Sequence, residues 1–318
     1  MAKKKFLSLG IALLVSASLL AGCGNNDTDG EETSTDTQEE QTTEEENTDG
    51  DETSSEDANY EDGIYFAQED SFSEESGWKY VATIKVEDGK ITEAEWNGAH
   101  KDGGTDKITR SESGEYGMVE NGGAQAEWHE QAEKAEAYLI EKQDPSAIEY
   151  TDDEGHTDAI SGVSIHVKEF FDLAEKALNG DPVGEGQYKD GNYRAEEEDF
   201  NPETGWKYTA DLTVINGYIV AADWDGLSKE EPKDDDGNIK TKDQVSADGE
   251  YGMVEKGGAQ APWVEQADKA EAYLIEKQDP TDIEYSNDEG ATDAISGVSI
   301  KVKTFFELAE KALEGAKK

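Results

Sequence analysis

Trp78-Lys79-Tyr80-Val81-Ala82-Thr83-Ile84-Lys85-Val86-Glu87-Asp88-Gly89-Lys90-Ile91 decides the fold. Trp78, Tyr80, Ala82, Ile84 and Val86 alternate with more polar neighbours, the two-residue period of a strand with one buried face. Asp88-Gly89 is a two-residue turn that tolerates positive φ, and Ile91–Trp96 resumes the chain as a second strand. The same text returns 128 residues later: Trp206, Tyr208, Ala210, Leu212 and Val214 alternate, and Asn216-Gly217 turns. Asp62-Gly63-Ile64-Tyr65 answers to Asp190-Gly191-Asn192-Tyr193, and Trp96 to Trp224. Farther on, Tyr116, Trp128 and Ser164 match Tyr251, Trp263 and Ser299 at an offset of 135, so the second copy carries seven extra residues near Pro232–Lys242. A period this long means two similar domains rather than a solenoid.

Helices follow the hairpin in each copy. Gln125–Lys142 reads as one, with Trp128, Ala132, Ala135 and Leu139 on one face and Pro145 just beyond. Pro262 stands where a first helical residue tolerates it. Val167, Phe170, Phe171, Ala174 and Leu178 mark a last helix, with Gly180 after it. Each unit is thus expected to be a small α+β domain of an antiparallel sheet and two helices. A glycine-rich connection runs through Gly117, Gly122 and Gly123.

The chain before the repeats has a different composition. Lys3, Lys4 and Lys5 precede the apolar run Phe6–Leu20, too short for a permanent span, and Leu20-Ala21-Gly22-Cys23 follows. This resembles the lipobox of bacterial lipoproteins, which implies that residues 1–22 are a signal peptide and that Cys23 becomes the lipidated first residue. The expected location is the outer side of a cell membrane, held by that lipid. Residues 24–58 hold 15 Asp or Glu, 11 Ser or Thr and no basic or aromatic residue. Such a stretch cannot offset its chain entropy, so 23–58 is expected to be a disordered acidic tether spanning roughly 30 Å or more. The domains are then 59–183 and 184–318.

Composition excludes several functions. Against 77 Asp and Glu there are 28 Lys and Arg, a net charge of −49, which rules out electrostatic binding of nucleic acid. One cysteine leaves no intramolecular disulfide, Cys-based zinc site or iron–sulfur cluster. His100, His129, His156 and His166 all lie in the first copy, opposite Ser228, Val264, Ala291 and Lys301. If both copies do one job, that job uses neither a Ser–His–Asp triad nor a histidine metal site, and no metal is expected. Asp234-Asp235-Asp236-Gly237-Asn238 fails as an EF-hand loop, because Gly237 at position six puts Pro232 at position one.

One segment is left. Thr157-Asp158-Ala159-Ile160-Ser161-Gly162-Val163-Ser164-Ile165 and its copy Thr292–Ile300 each lead into the last helix. Small residues permit close approach of a ligand, and a helix N-terminus stabilises phosphate. On local physics alone, Ser161 or Ser164 more commonly caps such a helix.

Asp-Ala-Ile-Ser-Gly-Val-Ser resembles the flavinylation motif of the FMN-binding-domain family, approximately Asp-(Gly/Ala)-x-(Ser/Thr)-Gly-Ala-(Thr/Ser). In this chain Val163 and Val298 stand where alanine is usual. The lipobox, tether and tandem repeat together resemble the extracellular electron-transfer lipoproteins of that family. The resemblance implies that an ApbE-type FMN transferase esterifies Ser164 and Ser299 with the phosphate of FMN, taken from FAD, giving two covalent flavins per chain. Asp158 and Asp293, Ser161 and Ser296, and Gly162 and Gly297 would form the motif around them. It implies a membrane quinone-linked electron donor, extracellular acceptors such as ferric iron, and no catalytic centre within the chain. Tyr116-Gly117-Met118 with Trp128, and Tyr251-Gly252-Met253 with Trp263, are candidates to pack near the isoalloxazine, although Trp128 and Trp263 read first as core. The alternative from another class is a lipid-anchored module that binds a solute or partner without a cofactor.

Overall fold

The computed structural model describes residues 60–318, all within one compact unit. The expectations for the signal peptide, for Cys23 and for the tether 23–58 lie outside the described residues. Among the described residues the chain is mixed α+β, with two three-stranded antiparallel sheets and six α-helices. No helix among them is long and apolar enough to cross a membrane.

In the first repeat β1 (Gly63–Gln68), β2 (Trp78–Glu87) and β3 (Lys90–His100) form a meander in the order β1-β2-β3. Glu87 pairs with Lys90 across Asp88-Gly89, whose φ values of 53° and 75° are the left-handed pair that a tight hairpin needs. Asp62 Oδ1 accepts the Gly89 N–H at 2.8 Å and ties the start of β1 to this turn. The alternating residues Ala82, Ile84 and Val86 face a core closed by α2 (Trp128–Lys142) and α3 (Lys168–Leu178). Gln143, at φ 62° beyond the end of α2, exchanges two hydrogen bonds with the Ile91 backbone and so fixes that helix to β3.

The second repeat repeats this plan with β4 (Gly191–Glu196), β5 (Trp206–Ile215), β6 (Tyr218–Ser228), α5 (Trp263–Lys277) and α6 (Lys303–Ala312). Two differences from the expectation stand out. Each repeat has a third, short helix, α1 (Lys107–Glu112) and α4 (Lys242–Ala247), which is too short to show apolar periodicity. The long helix also begins at Trp128 rather than Gln125, because Glu127 and Glu130 form a reciprocal capping box. The seven extra residues make a solvated turn in which Asp234 Oδ1 accepts the N–H groups of Asp236 and Asn238.

The two sheets also meet each other. Val81 and Ala99 pack with Ile215, Val220 and Ala221, and Phe66 stacks on Tyr218 at 5.1 Å. Gly104 N–H donates to Asp211 Oδ1 at 2.9 Å, and Thr213 Oγ1 donates to Gly104 O at 2.8 Å. Consequently β5 is buried on both faces: Ala210, Leu212 and Val214 against its own helices, Asp211, Thr213 and Ile215 toward the first repeat.

Candidate functional site: the serine loop and its aromatic cavity

The loop Thr157–Ile165 is held from three sides. The buried Thr157 hydroxyl donates to Glu149 O at 2.7 Å and accepts the Ala159 N–H at 3.0 Å. At the other end Val167 N–H donates to Gly155 O at 2.9 Å. From α2 the fully buried Gln131 reaches across: its Oε1 accepts Ser164 N–H at 2.7 Å and Ser164 Oγ–H at 3.2 Å, while its Nε2 donates to Ala126 O. Gln266 does the same for Ser299, at 2.7 and 3.0 Å. Sequence reasoning missed these glutamines. The available signal was a polar residue inside the apolar stripe Trp128, Ala132, Ala135, in both copies.

Neither serine caps the helix. The N-caps of α3 and α6 are Val167 and Val302, without a side-chain cap. Ser164 and Ser299 lie three residues earlier and are exposed. Ser161, Gly162 and Asp158 share the exposed part of the same loop, as do Ser296, Gly297 and Asp293 in the second repeat. Gly162 has φ 74°, and a Cβ there would lie 2.9 Å from Lys134 Nζ, which donates to Gly162 O at 3.0 Å. Glycine therefore lets a cation approach the backbone two residues before Ser164. Lys269 Nζ approaches Gly297 in the same way.

Ser164 borders a cavity of about 280 Å³ lined by Tyr80, Tyr116, Met118, Trp128, Ile165, His166 and Glu169. Trp128 is buried, as its core reading expects, and also forms part of this wall. Tyr80 stacks on Trp128 at 6.0 Å, and Trp128 meets Trp96 edge-on at 5.1 Å; Tyr208, Trp263 and Trp224 repeat this arrangement. Glu169 Oε2 is buried without a hydrogen-bond partner. Its counterpart in the second repeat is Thr304.

Behind these rings each repeat encloses a lysine. Lys107 Nζ lies 4.3 Å from the ring centroids of Trp78 and Tyr116 and 4.9 Å from that of Tyr80, and it donates to Tyr116 Oη at 3.1 Å. Lys242 Nζ lies 4.0 Å from Tyr251 and 4.3 Å from Trp206 and has no hydrogen-bond partner. Burial lowers both lysines to about 7, against the attraction of the ring faces for a cation.

A larger cleft of about 990 Å³ runs between the repeats, lined in part by Lys79, Arg194, Asp223, Asp225, Asp243 and Glu271. Burial, then repulsion among these acids, pushes Asp223 up to about 8 and Asp243 up to about 9, and holds Glu271 well above the usual carboxylate range.

No family model matches this chain, and neither does any curated protein. Two solved structures are similar to part of it. A solution NMR structure of a Clostridium thermocellum protein is 64% identical, covering 37% of this chain and 89% of that one, with a TM-score of 0.31. A crystal structure of a Clostridium perfringens protein is 29% identical, covering 38% of this chain and 87% of that one, with a TM-score of 0.30.

Proposed function

We propose that this protein is a lipid-anchored extracellular electron carrier that holds FMN as a phosphoester on Ser164 and Ser299. The observation that carries the reading is that Ser164 borders an aromatic-walled cavity and follows by two residues the glycine that admits Lys134. The residues suit FMN. Tyr80, Tyr116 and Met118 offer faces for a planar ring, and the Lys134 ammonium offers charge to a phosphate. Glu169 Oε2 is an orphaned acceptor for a ring imide N–H. Bound flavin would supply the one- and two-electron chemistry that the side chains lack.

This chain's own part is to present the hydroxyl. Gln131 and Gln266 orient the serines by gripping backbone and side chain together, but an amide cannot remove the hydroxyl proton. The base for esterification therefore belongs to the ApbE-type transferase. In this reading the two FMN-binding-like domains stand on a lipidated Cys23 and an acidic tether, and they pass electrons from a quinone-linked donor outward.

The test is the intact mass of the protein after co-expression with an ApbE-type transferase. Two FMN phosphoesters are expected, one in Ser164→Ala and in Ser299→Ala, and none in the double variant. No gain in mass with a demonstrably active transferase refutes the reading. The cleft between the repeats favours a second reading, a solute- or partner-binding module, for which the protein would remain colourless under the same conditions.

A further inference from the structure

We propose that Glu154, His156 and His166 form a binding site for a divalent transition cation of the zinc or copper class, present on the first repeat alone. One ligand atom from each residue lies within 4.8 Å of those of the others. The two imidazole rings stand 4.3 Å apart at 86°, and His166 Nε2 is 3.8 Å from Glu154 Oε2. Ligands on a tetrahedral zinc are separated by about 3.4 Å, given metal–ligand bonds near 2.0–2.1 Å. Closing the site thus asks the His166–Glu154 pair to approach by a few tenths of an ångström and His156 to move by about an ångström at most, within the reach of side-chain rotation. Two imidazoles and a carboxylate suit zinc or copper rather than calcium or magnesium, which prefer oxygen ligands throughout.

The backbone that brings the three together is tightly specified. Asp152 Oδ1 accepts the N–H groups of Glu154 and His156, each at 3.1 Å, and Thr151 N–H donates to His156 O at 2.7 Å. Gly155, at φ 93°, lies so close to α3 that a Cβ there would be 2.4 Å from Lys168 Cβ. This apposition sets Glu154 and His156 opposite His166. Asp152 has a second role: its Oδ2 lies 2.6 Å from His156 Nδ1, which orients the ring and leaves Nε2 for a metal. A carboxylate behind a histidine ligand is the usual outer support of a metal site.

The second repeat supplies an internal comparison. Its scaffold is the same: Asn287 Oδ1 accepts the N–H groups of Glu289 and Ala291, and Val302 N–H donates to Gly290 O. Its ligands are gone, with Ala291 and Lys301 in place of His156 and His166, and Asn287 in place of Asp152. There the Lys301 ammonium pairs with Glu289 at 2.7 Å. A positive charge built into the chain thus satisfies in one copy the carboxylate that two imidazoles face in the other. His166 also lines the Ser164 cavity, so a bound cation would give the two repeats unequal electrostatic surroundings at their serines.

The test is a calorimetric Zn²⁺ titration of the full chain in millimolar Mg²⁺, which occupies the acidic surface, with the imidazole NMR signals followed in parallel. There are four histidines to assign. The expected result is one Zn²⁺ per chain, with shifts at His156 and His166 and none at His100 and His129. His156→Ala and His166→Lys import residues that the second repeat already accommodates, and each should lower affinity by about 100-fold; Asp152→Asn should lower it by about 10-fold or more. His129→Val, the second repeat's residue at that position, should leave it unchanged. Zn²⁺ binding that survives both ligand substitutions, or that leaves the His156 and His166 signals in place, overturns the proposal and assigns the ion elsewhere, such as the Asp223, Asp225 and Asp243 cluster.

Discussion

Replacing Lys242 by methionine should stabilise the protein in mild acid, and the gain should fade as pH rises. Lys242 is completely buried, and its Nζ lies 4.0–5.2 Å from the centroids of Tyr251, Trp206, Trp263 and Tyr208, with no acceptor. Burial lowers it from 10.5 to about 7, a difference worth about 5 kcal/mol. The ring faces return about 2 kcal/mol to a desolvated ammonium. About 3 kcal/mol then stands against burying the side chain from its charged form. Because the folded pKa lies below the unfolded one, and the rings lift it part of the way back, this cost is complete in mild acid, shrinks as pH rises through the folded value and is gone above 10.5. Methionine keeps the unbranched shape and carries no proton. Lys242→Met should therefore gain about 3 kcal/mol at pH 6 and almost nothing near pH 10.5. Urea unfolding followed by tryptophan fluorescence at pH 6, 8 and 10 measures this. A variant less stable than the parent at pH 6, or a difference independent of pH, would refute the argument and show that the rings hold a charged lysine at a net gain.

Asp243→Asn should show the opposite pH dependence. Asp243 is pushed up to about 9, so its favourable contribution is complete below about pH 4 and is lost as pH rises through 9; the gain from asparagine should grow over that window in the same unfolding series. Gln131→Ala leaves the Ser164 N–H without its acceptor and should cost about 1–3 kcal/mol. It should also lower the FMN content at Ser164, but not at Ser299, in peptide mass mapping after co-expression with the transferase.

Much of the fold was legible in the sequence because its signals are local. Alternation along Trp78–Val86 and a left-handed turn at Asp88-Gly89 require nothing from distant residues, so the hairpin is where the pattern places it. The stripe from Trp128 to Leu139 is likewise a property of one helix. Short α1 and α4 escaped because six residues are less than two turns, so no period develops, and what positions them is the burial of Lys107 and Lys242. The serine loop was legible as a motif, but its support was not: the hydrogen bond from Ser164 to Gln131 spans 33 positions. Comparing the copies argued against histidine as a shared working residue, and that argument bears only on functions the two repeats have in common. It could not show that His156 and His166, ten positions apart, converge with Glu154.

The sequence by itself therefore determined the duplication, the sheet-forming segments, the long helices and the paired serine motifs, all of which depend on neighbours within a turn or a strand period. Tertiary structure decided the rest. Whether Asp211 and Thr213 face water or the other repeat, whether a lysine ends inside four aromatic rings, and whether Glu154 meets two imidazoles or one ammonium depend on which distant surfaces come together. Burial and charge at those meetings are properties of the packed chain, because the cost of removing a charged group from water is set by whatever closes over it.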